Sequence, residues 1–287
     1  EVRSGAGELA PTKAPWLDEA ERAAGLRLAC QVKVKRDMEL AIPESLFKIR
    51  EYAAEVLSIR DLTYDIKELT LGLLDPPAIP LVAGNFVQLV APAYELSPDP
   101  VYRAYSVASA PSRSDRIELE IRLVPNGICT TYVFTKLKAG DRVSINGPYG
   151  EFYLRESGRE IIFIAGGSGM APIRSMLLDM AEKGVSRKAP YFFGARAARA
   201  LFLVDEMREL ERRLPNFRFV PALSSPAPED GWKGETGLIT EVLDRQFGSL
   251  DRHEAYLCGS PGMIDASIKV LRAKGLPEEL IFYDKFA

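Results

Sequence analysis

The stretch EIIFIAGGSGMAPIRSMLLDMAEKG, residues 160–184, decides the architecture. Its first residues form a short, β-branched apolar run bounded by glycine, which predicts a strand buried on both faces. Glycines 166, 167 and 169 then turn the chain, and MAPIRSMLLDMAEKG predicts a helix. Strand, glycine-rich turn and helix open a parallel α/β layer. In such sheets ligands bind at the carboxyl ends of the strands, where this turn falls. The turn departs from the G-x-G-x-x-G fingerprint, because Pro172 stands at the third glycine's position. The next strand also ends in Arg196 rather than an acidic residue. Alone, it reads equally well as a plain structural turn.

Towards the C-terminus the same rhythm continues. APYFFGAR, FRFVPALSS, EAYLCGS and LIFYDKF predict strands, separated by the helical ALFLVDEMRELERRLP, GLITEVLDRQF and PGMIDASIKVLRAKG. This alternation predicts a doubly wound parallel sheet over 158–287. Towards the N-terminus the pattern changes. AAEVLSIRDLTYDIKELTLGL, NFVQLVA, AYSVAS, IELEIRLV and RVSINGPY are short β-branched runs bounded by turn residues, which predicts an antiparallel β-barrel over 46–157. One helix, TTYVFTKLK, interrupts it, with Thr130 or Thr131 suited to its N-cap and Gly140 to its C′ position. Residues 1–45 hold a predicted helix, WLDEAERAAGL, and a strand, CQVKVKRDMEL, with too little apolar material for a core of their own.

Composition narrows the function. With 287 residues, 47% hydrophobic and 27% charged, the chain is an ordinary globular protein of two-domain length. A net charge of -3 offers no basic face, so nucleic acid is not an expected partner. No run reaches the length of a membrane span. Cys30, Cys129 and Cys258 lie far apart, which fits a reducing, cytoplasmic setting. A single histidine, His253, rules out a multi-histidine metal site, and its charged turn LDRHEA predicts a surface position.

Three further motifs carry chemistry. In RAYS, 103–106, Arg103 and Tyr105 share one strand face, with Ser106 turned away unless the strand bends. In NGICTTY, 126–132, a glycine turn opens onto a helix whose free amides and dipole suit a diphosphate, with Arg103 as counter-charge. Cys129 there reads as a packed small residue rather than a nucleophile. In YLCGSPGMI, 256–264, Cys258 falls at the carboxyl edge of the sheet.

In order, RAYS, GICTT, GPYG, GGSGMAP, CGSPGM and a terminal aromatic resemble the ferredoxin–NADP reductase superfamily across 46–287. The resemblance implies FAD in the barrel and a nicotinamide nucleotide on the α/β domain. Arg103 would pair with the FAD diphosphate, Tyr105 pack on the isoalloxazine, and Ser106 hydrogen-bond near flavin N5. Gly127, Ile128, Cys129, Thr130 and Thr131 would hold the diphosphate. Gly166, Gly167, Ser168, Gly169 and Gly259 would make room for the nucleotide, Arg196 would contact its adenosine side, and Cys258 would lie by nicotinamide C4. Phe286 matches the aromatic near the flavin, so Ser106, Cys258 and Phe286 are the expected catalytic positions. Hydride transfer needs the two rings stacked at roughly 3 to 3.5 Å. No general acid or base is strictly required, since the cofactors carry the chemistry.

After FRFVPAL come Ser224, Ser225 and Pro226, without the arginine that a 2′-phosphate calls for, which favours NADH. Arg196 and Arg199 keep NADPH as the alternative. LACQVKVKRDMEL followed by IPE is similar to the junction in reductases with an N-terminal plant-type ferredoxin domain. These include the F subunit of sodium-pumping NADH:quinone reductases and the reductases of phenol and toluene monooxygenases. YGEFYL, GMAPIRSM, FFGAR and PAPEDGWKGETGLI are nearest the F-subunit branch. Such ferredoxins hold a [2Fe–2S] cluster on four cysteines. Only the fourth, Cys30, is present, so the resemblance implies a partial β-grasp segment over 1–45, a truncated ferredoxin domain, and a cluster only in an intact longer protein.

The implied activity is transfer of a hydride from NADH to FAD, then of single electrons to an iron–sulfur centre or partner acceptor. That acceptor would be a separate protein or the missing ferredoxin domain. Membrane association would come only through a partner or a missing N-terminal segment, at the cytoplasmic face of a complex. The alternatives are a free-standing NAD(P)H:acceptor reductase without a cluster and a flavin-bearing subunit of a larger electron-transfer complex.

Overall fold

The structure, a computed structural model, describes residues 2–4, 19–23, 37, 39, 40 and 47–286. The chain forms two units, Glu1–Ile49 and Arg50–Ala287. In the first, β1 (Val2–Ser4) pairs antiparallel with β2 (Glu39–Leu40), and α1 (Glu19–Ala23) lies between them in sequence. Cys30, the expected cluster ligand, lies outside the described residues, as does most of the expected β-grasp segment.

The second unit begins with an antiparallel sheet. Its strands are β3 (Arg50–Asp61), β4 (Ile66–Asp75), β5 (Phe86–Ala91), β6 (Val101–Ser106), β7 (Arg116–Arg122) and β8 (Arg142–Tyr149). Their spatial order is β6-β5-β8-β3-β4-β7. A lone antiparallel bridge, Val107 to Leu119, brings the outer strands β6 and β7 together and curls the sheet into a barrel. Alternating residues such as Leu69 and Leu71, Val87 and Leu89, and Ile117, Leu119 and Ile121 fill its core. The long run expected over 53–73 is a hairpin, turning at 62–65.

Helix α2 (Ile128–Thr135) follows β7, and here the sequence-based expectation is corrected. Its N-cap is Gly127, with no side-chain cap, because the Thr130 hydroxyl turns back to donate to the Gly127 carbonyl at 3.2 Å and to accept from the Val124 N–H at 3.2 Å. The helix ends at Lys136, and Gly140, at φ +89°, instead serves the turn into β8, donating its N–H to the Val56 carbonyl.

The remainder is the expected parallel layer. It contains β9 (Glu160–Gly166), α3 (Met170–Lys183), β10 (Ala189–Ala195), α4 (Val204–Arg213) and β11 (Phe217–Leu223), then β12 (Glu235–Thr236), α5 (Ile239–Gln246), β13 (His253–Gly259), α6 (Pro261–Ala273) and β14 (Ile281–Lys285). The order β12-β11-β10-β9-β13-β14 places the switch point between β9 and β13. Helices α3 and α4 pack on one face through Met176, Met207 and Leu210, and α5 and α6 on the other through Val242, Leu243 and Leu271. Strand β12, two residues long, was not foreseen. His253 is not a surface residue: it begins β13 opposite Glu160, with Nε2 3.3 Å from that carboxylate and its ring edge-on to Phe247. Burial holds its imidazole below the ordinary value.

The barrel and the parallel layer meet through buried polar contacts. Arg174 on α3 donates Nη1 to Glu118 on β7 at 2.6 Å and holds Glu206 on α4 through Nε at 2.7 Å and Nη2 at 3.1 Å. Ser175 donates to the Ser109 carbonyl at 2.7 Å. These contacts fix the start of α3 against the strand that follows the RAYS motif.

Candidate functional site

A cleft of about 670 Å³ runs along the seam between the two sheets. On the barrel side β6 contributes Arg103, Tyr105 and Ser106, β5 contributes Phe86, and β7 contributes Glu120 and Arg122. Gly127, Ile128, Cys129 and Thr130 form one end, at the start of α2. Gly166, Ser168, Gly259 and Phe286 form the wall from the parallel layer.

The α2 end is suited to an anion. The first turn of the helix has no side-chain cap and no acidic residue, so its amides and dipole act on the cleft without competition. Arg103, exposed beside it, spends one hydrogen bond on the neighbouring Tyr102 carbonyl. Cys129 is packed in the barrel core with its sulfur 4.0 Å from the Leu89 carbonyl, as its reading as a small buried residue expects. Burial raises its thiol pKa.

The middle of the cleft is edged by unpartnered oxygens. The Ser106 hydroxyl and both carboxyl oxygens of Glu120 are buried without a hydrogen-bond partner, while the Tyr105 hydroxyl is set beside the Cys129 thiol. Ser106, at the end of β6, lines the same cleft as Arg103 and Tyr105. Burial, with Cys129 next, raises the Tyr105 phenol pKa. Burial also pushes Glu120 up to about 8; Arg174 opposes this shift, while Glu68, Glu206 and Glu118 add to it. Buried polar groups in native proteins are almost always paired. A row of unpaired ones, next to an uncapped helix start and an arginine, fits a ligand with a diphosphate at one end and a polar-edged ring at the other.

The opposite wall depends on two glycines. A Cβ on Gly169 would stand 2.3 Å from the Cys258 carbonyl oxygen, so only glycine lets the start of α3 approach the end of β13 this closely. Gly259, at φ +145°, turns β13 into α6, and its carbonyl accepts the Phe286 N–H at 3.0 Å, which ties the terminal aromatic to the cleft. The first turn of α3 likewise carries neither a side-chain cap nor an acid.

Not every expected residue lines this cleft. Thr131 lies one step along α2, Gly167 and Gly169 shape the turn from behind, and Arg196 is exposed beyond the end of β10. Cys258 is fully buried, and burial, then Asp284 and Glu120, hold its thiol pKa well above the ordinary value. Conversely, Phe86, Glu120, Arg122, Ser260, Asp284 and Lys285 line the cleft without having been foreseen. Asp284 was open to discovery, since it stands two residues before Phe286 near the end of β14. Glu120 carried no such signal.

Comparison with known proteins agrees with this geometry. Residues 53–153 match the oxidoreductase FAD-binding domain family, and residues 163–269 match the oxidoreductase NAD-binding domain family. The F subunit of the Na(+)-translocating NADH-quinone reductase of Klebsiella pneumoniae is 36% identical over 325 aligned residues, covering 99% of this chain and 80% of the relative. That of Methylococcus capsulatus is 36% identical over 329, covering 100% and 80%. Among solved structures, an Amycolatopsis cytochrome P450 reductase superposes with a TM-score of 0.81 at 30% identity, covering 100% of this chain and 86% of that one. The ferredoxin reductase of a carbazole 1,9a-dioxygenase gives 0.74 at 28% identity, covering 91% and 78%.

Proposed function

The chain belongs to the family of the F subunit of Na(+)-translocating NADH-quinone reductases, and from that premise we propose how its residues share the work of electron transfer. It is an NAD(P)H-dependent FAD oxidoreductase, which passes electrons from NADH through FAD to a partner. FAD supplies the chemistry of taking electrons in pairs and releasing them singly. The protein binds, aligns and shields.

In this reading the barrel, 46–157, holds FAD. Arg103 and the amides from Gly127 to Thr131 hold its diphosphate, the Tyr105 ring packs on the isoalloxazine, and the Ser106 hydroxyl bonds its reactive edge. The parallel layer, 158–287, holds the nucleotide over the turn Gly166–Gly169 and Gly259, with Arg196 on the adenosine side. Cys258 and Phe286 set the depth at which the nicotinamide ring stacks. Holding the two rings in stacking geometry removes a large part of the barrier. The observation that carries this reading is one of placement: Arg103, the uncapped start of α2 and the unpartnered Ser106 hydroxyl open into the same cleft as the glycine turn at the switch point.

NADH is the preferred donor. The Asp230 carboxylate accepts the Ala227 N–H at 2.9 Å and the Ala198 N–H at 3.4 Å, holding a fixed negative charge beside the turns after β10 and β11. A 2′-phosphate there meets repulsion. Arg199 is engaged over the Tyr64 ring, 4.8 Å from its centroid.

The acceptor in this reading is an iron–sulfur centre of ferredoxin type, which passes electrons on to a partner protein at the face of a membrane complex. Among the described residues no helix is long and apolar enough to cross a membrane. Anaerobic titration with NADH and NADPH in parallel tests the reading. One equivalent of NADH is expected to bleach the visible flavin band, with NADPH slower. Failure of the protein to take up FAD, or of NADH to bleach it, overturns the proposal.

A further inference from the structure

Glu120 is a charged residue type in an unusual place. It lines the cleft yet is 3% exposed, and neither of its oxygens has a partner. Among the described residues it is the one carboxylate with both oxygens buried and unpaired. The ladder between β4 and β7 sets it directly opposite Glu68. Two like charges at facing positions repel. Three guanidiniums serve this group, and each is committed to another acid: Arg174 to Glu118 and Glu206, with Glu68 at 3.5 Å, Arg60 to Glu68 at 2.8 Å, and Arg113 to Glu118 at 3.7 Å. The groups facing Glu120 are therefore Glu118 on its own strand, Glu68 on β4, Arg174 on α3, Glu206 on α4, Tyr191 on β10 and Cys258 on β13. Arg122 and Asp284 share the cleft. Arg60 and Arg113 are more than half exposed, so Arg174 is the one buried guanidinium among four carboxylates, and the deepest acid keeps its proton.

The place of Glu120 matters as much as its state. The Val107–Leu119 bridge and the Ala108 N–H to Glu118 carbonyl bond set a register in which Ser106 and Glu120 are the next facing pair. Both side chains present unpaired oxygens to the cleft where, on the proposed function, the nicotinamide ring stacks. That ring is neutral in NADH and a cation in NAD+.

We propose that Glu120 tells oxidised from reduced nucleotide, standing as a neutral acid beside the dihydronicotinamide ring and as a carboxylate beside the pyridinium ring. NAD+ binding then drives off the Glu120 proton to solvent: protonated enzyme plus NAD+ gives the complex plus H+, with no bond to the nucleotide made or broken. A nearby cation favours the ionised acid, so the nucleotide's charge and the proton exclude one another. The inference rests on the reductase reading of the cleft.

The test uses the full chain loaded with FAD. Calorimetric titrations with NAD+ and with NADH are run between pH 7 and pH 9, in buffers of different ionisation heat. With Glu120 near 8, NAD+ binding is expected to tighten about tenfold over that range and to release about 0.9 proton at pH 7, while NADH binding stays flat. In Glu120→Gln both NAD+ effects vanish. In Asp284→Asn, which removes the other acid of the cleft, they persist. NAD+ affinity independent of pH, or proton release lost in Asp284→Asn and kept in Glu120→Gln, overturns the inference while leaving the reductase reading intact. Failure of both nucleotides to bind at any pH overturns both. If Glu120→Gln does not take up FAD, wild type against Asp284→Asn decides: release kept in the variant supports Glu120, and release lost there overturns it.

Discussion

Ser106 and Glu120 stand opposite each other at the seam where β6 and β7 close the barrel, and each presents unpaired oxygen to the cleft. They come from strands 14 positions apart, and no sequence period links them. A hydroxyl and a protonated carboxyl side by side make a neutral polar edge, which can donate hydrogen bonds to a ring system at no cost in buried charge.

Ser106→Ala removes one donor from that edge. Flavin reduction by NADH is expected to slow about 10- to 100-fold, with FAD content and nucleotide affinity little changed, since one aligned hydrogen bond is worth that much in a shielded site. Stopped-flow absorbance under anaerobic conditions reads the rate. An unchanged rate would place Ser106 outside the reacting edge.

Glu120 also leaves a signature in stability. Its folded pKa is raised from 4.5 to about 8, so the folded chain binds its proton more tightly than the unfolded chain. This contribution is fully present below the unfolded value and declines by roughly 1.4 kcal/mol per pH unit until pH passes the folded value. Urea unfolding at pH 5, 6.5 and 8 is expected to show this decline, and Glu120→Gln to flatten it.

Arg174 holds the acid cluster together. Arg174→Leu takes from Glu118, Glu206 and Glu68 their shared buried cation, leaving only the exposed Arg113 beside Glu118 and Arg60 beside Glu68, and removing one partner of a buried ion pair costs about 3–5 kcal/mol. Chemical denaturation should register that loss.

Gly169→Ala forces a methyl against the Cys258 carbonyl. The start of α3 must move away from β13, at a cost of about 1–3 kcal/mol or more. The thermal midpoint is expected to fall, and the KM for NADH to rise more than the KM for the electron acceptor.

Donor choice should respond to charge near the adenosine side. Ser225→Arg combined with Asp230→Asn replaces a fixed anion with a cation. It is expected to raise the NADPH-to-NADH ratio of kcat/KM by about 10- to 100-fold, as each new phosphate contact is worth on the order of 1.5–3 kcal/mol. Steady-state kinetics with both donors measures it.

Local pattern was sufficient for the order of elements. The apolar run Ile161–Ala165, the glycine turn and the alternation after it fixed a parallel layer, because hydrophobic period and turn chemistry act over a few residues. Arg103, Tyr105, Ser106 and the 127–130 turn were also within reach, since a short motif places them on one strand end and one helix start. What escaped was whatever depends on the second surface. In IELEIR nothing signals that a second layer will cover Glu118 and Glu120, yet the parallel layer brings Arg174, 54 positions after Glu120, against that face. His253 moved from an expected surface turn to a strand for the same reason. By itself the sequence determined which strands and helices form, and which motifs end at ligand-binding edges. Only the tertiary structure decided which acid keeps its proton, because burial and the charge of neighbours are properties of the packed interface and of no single strand.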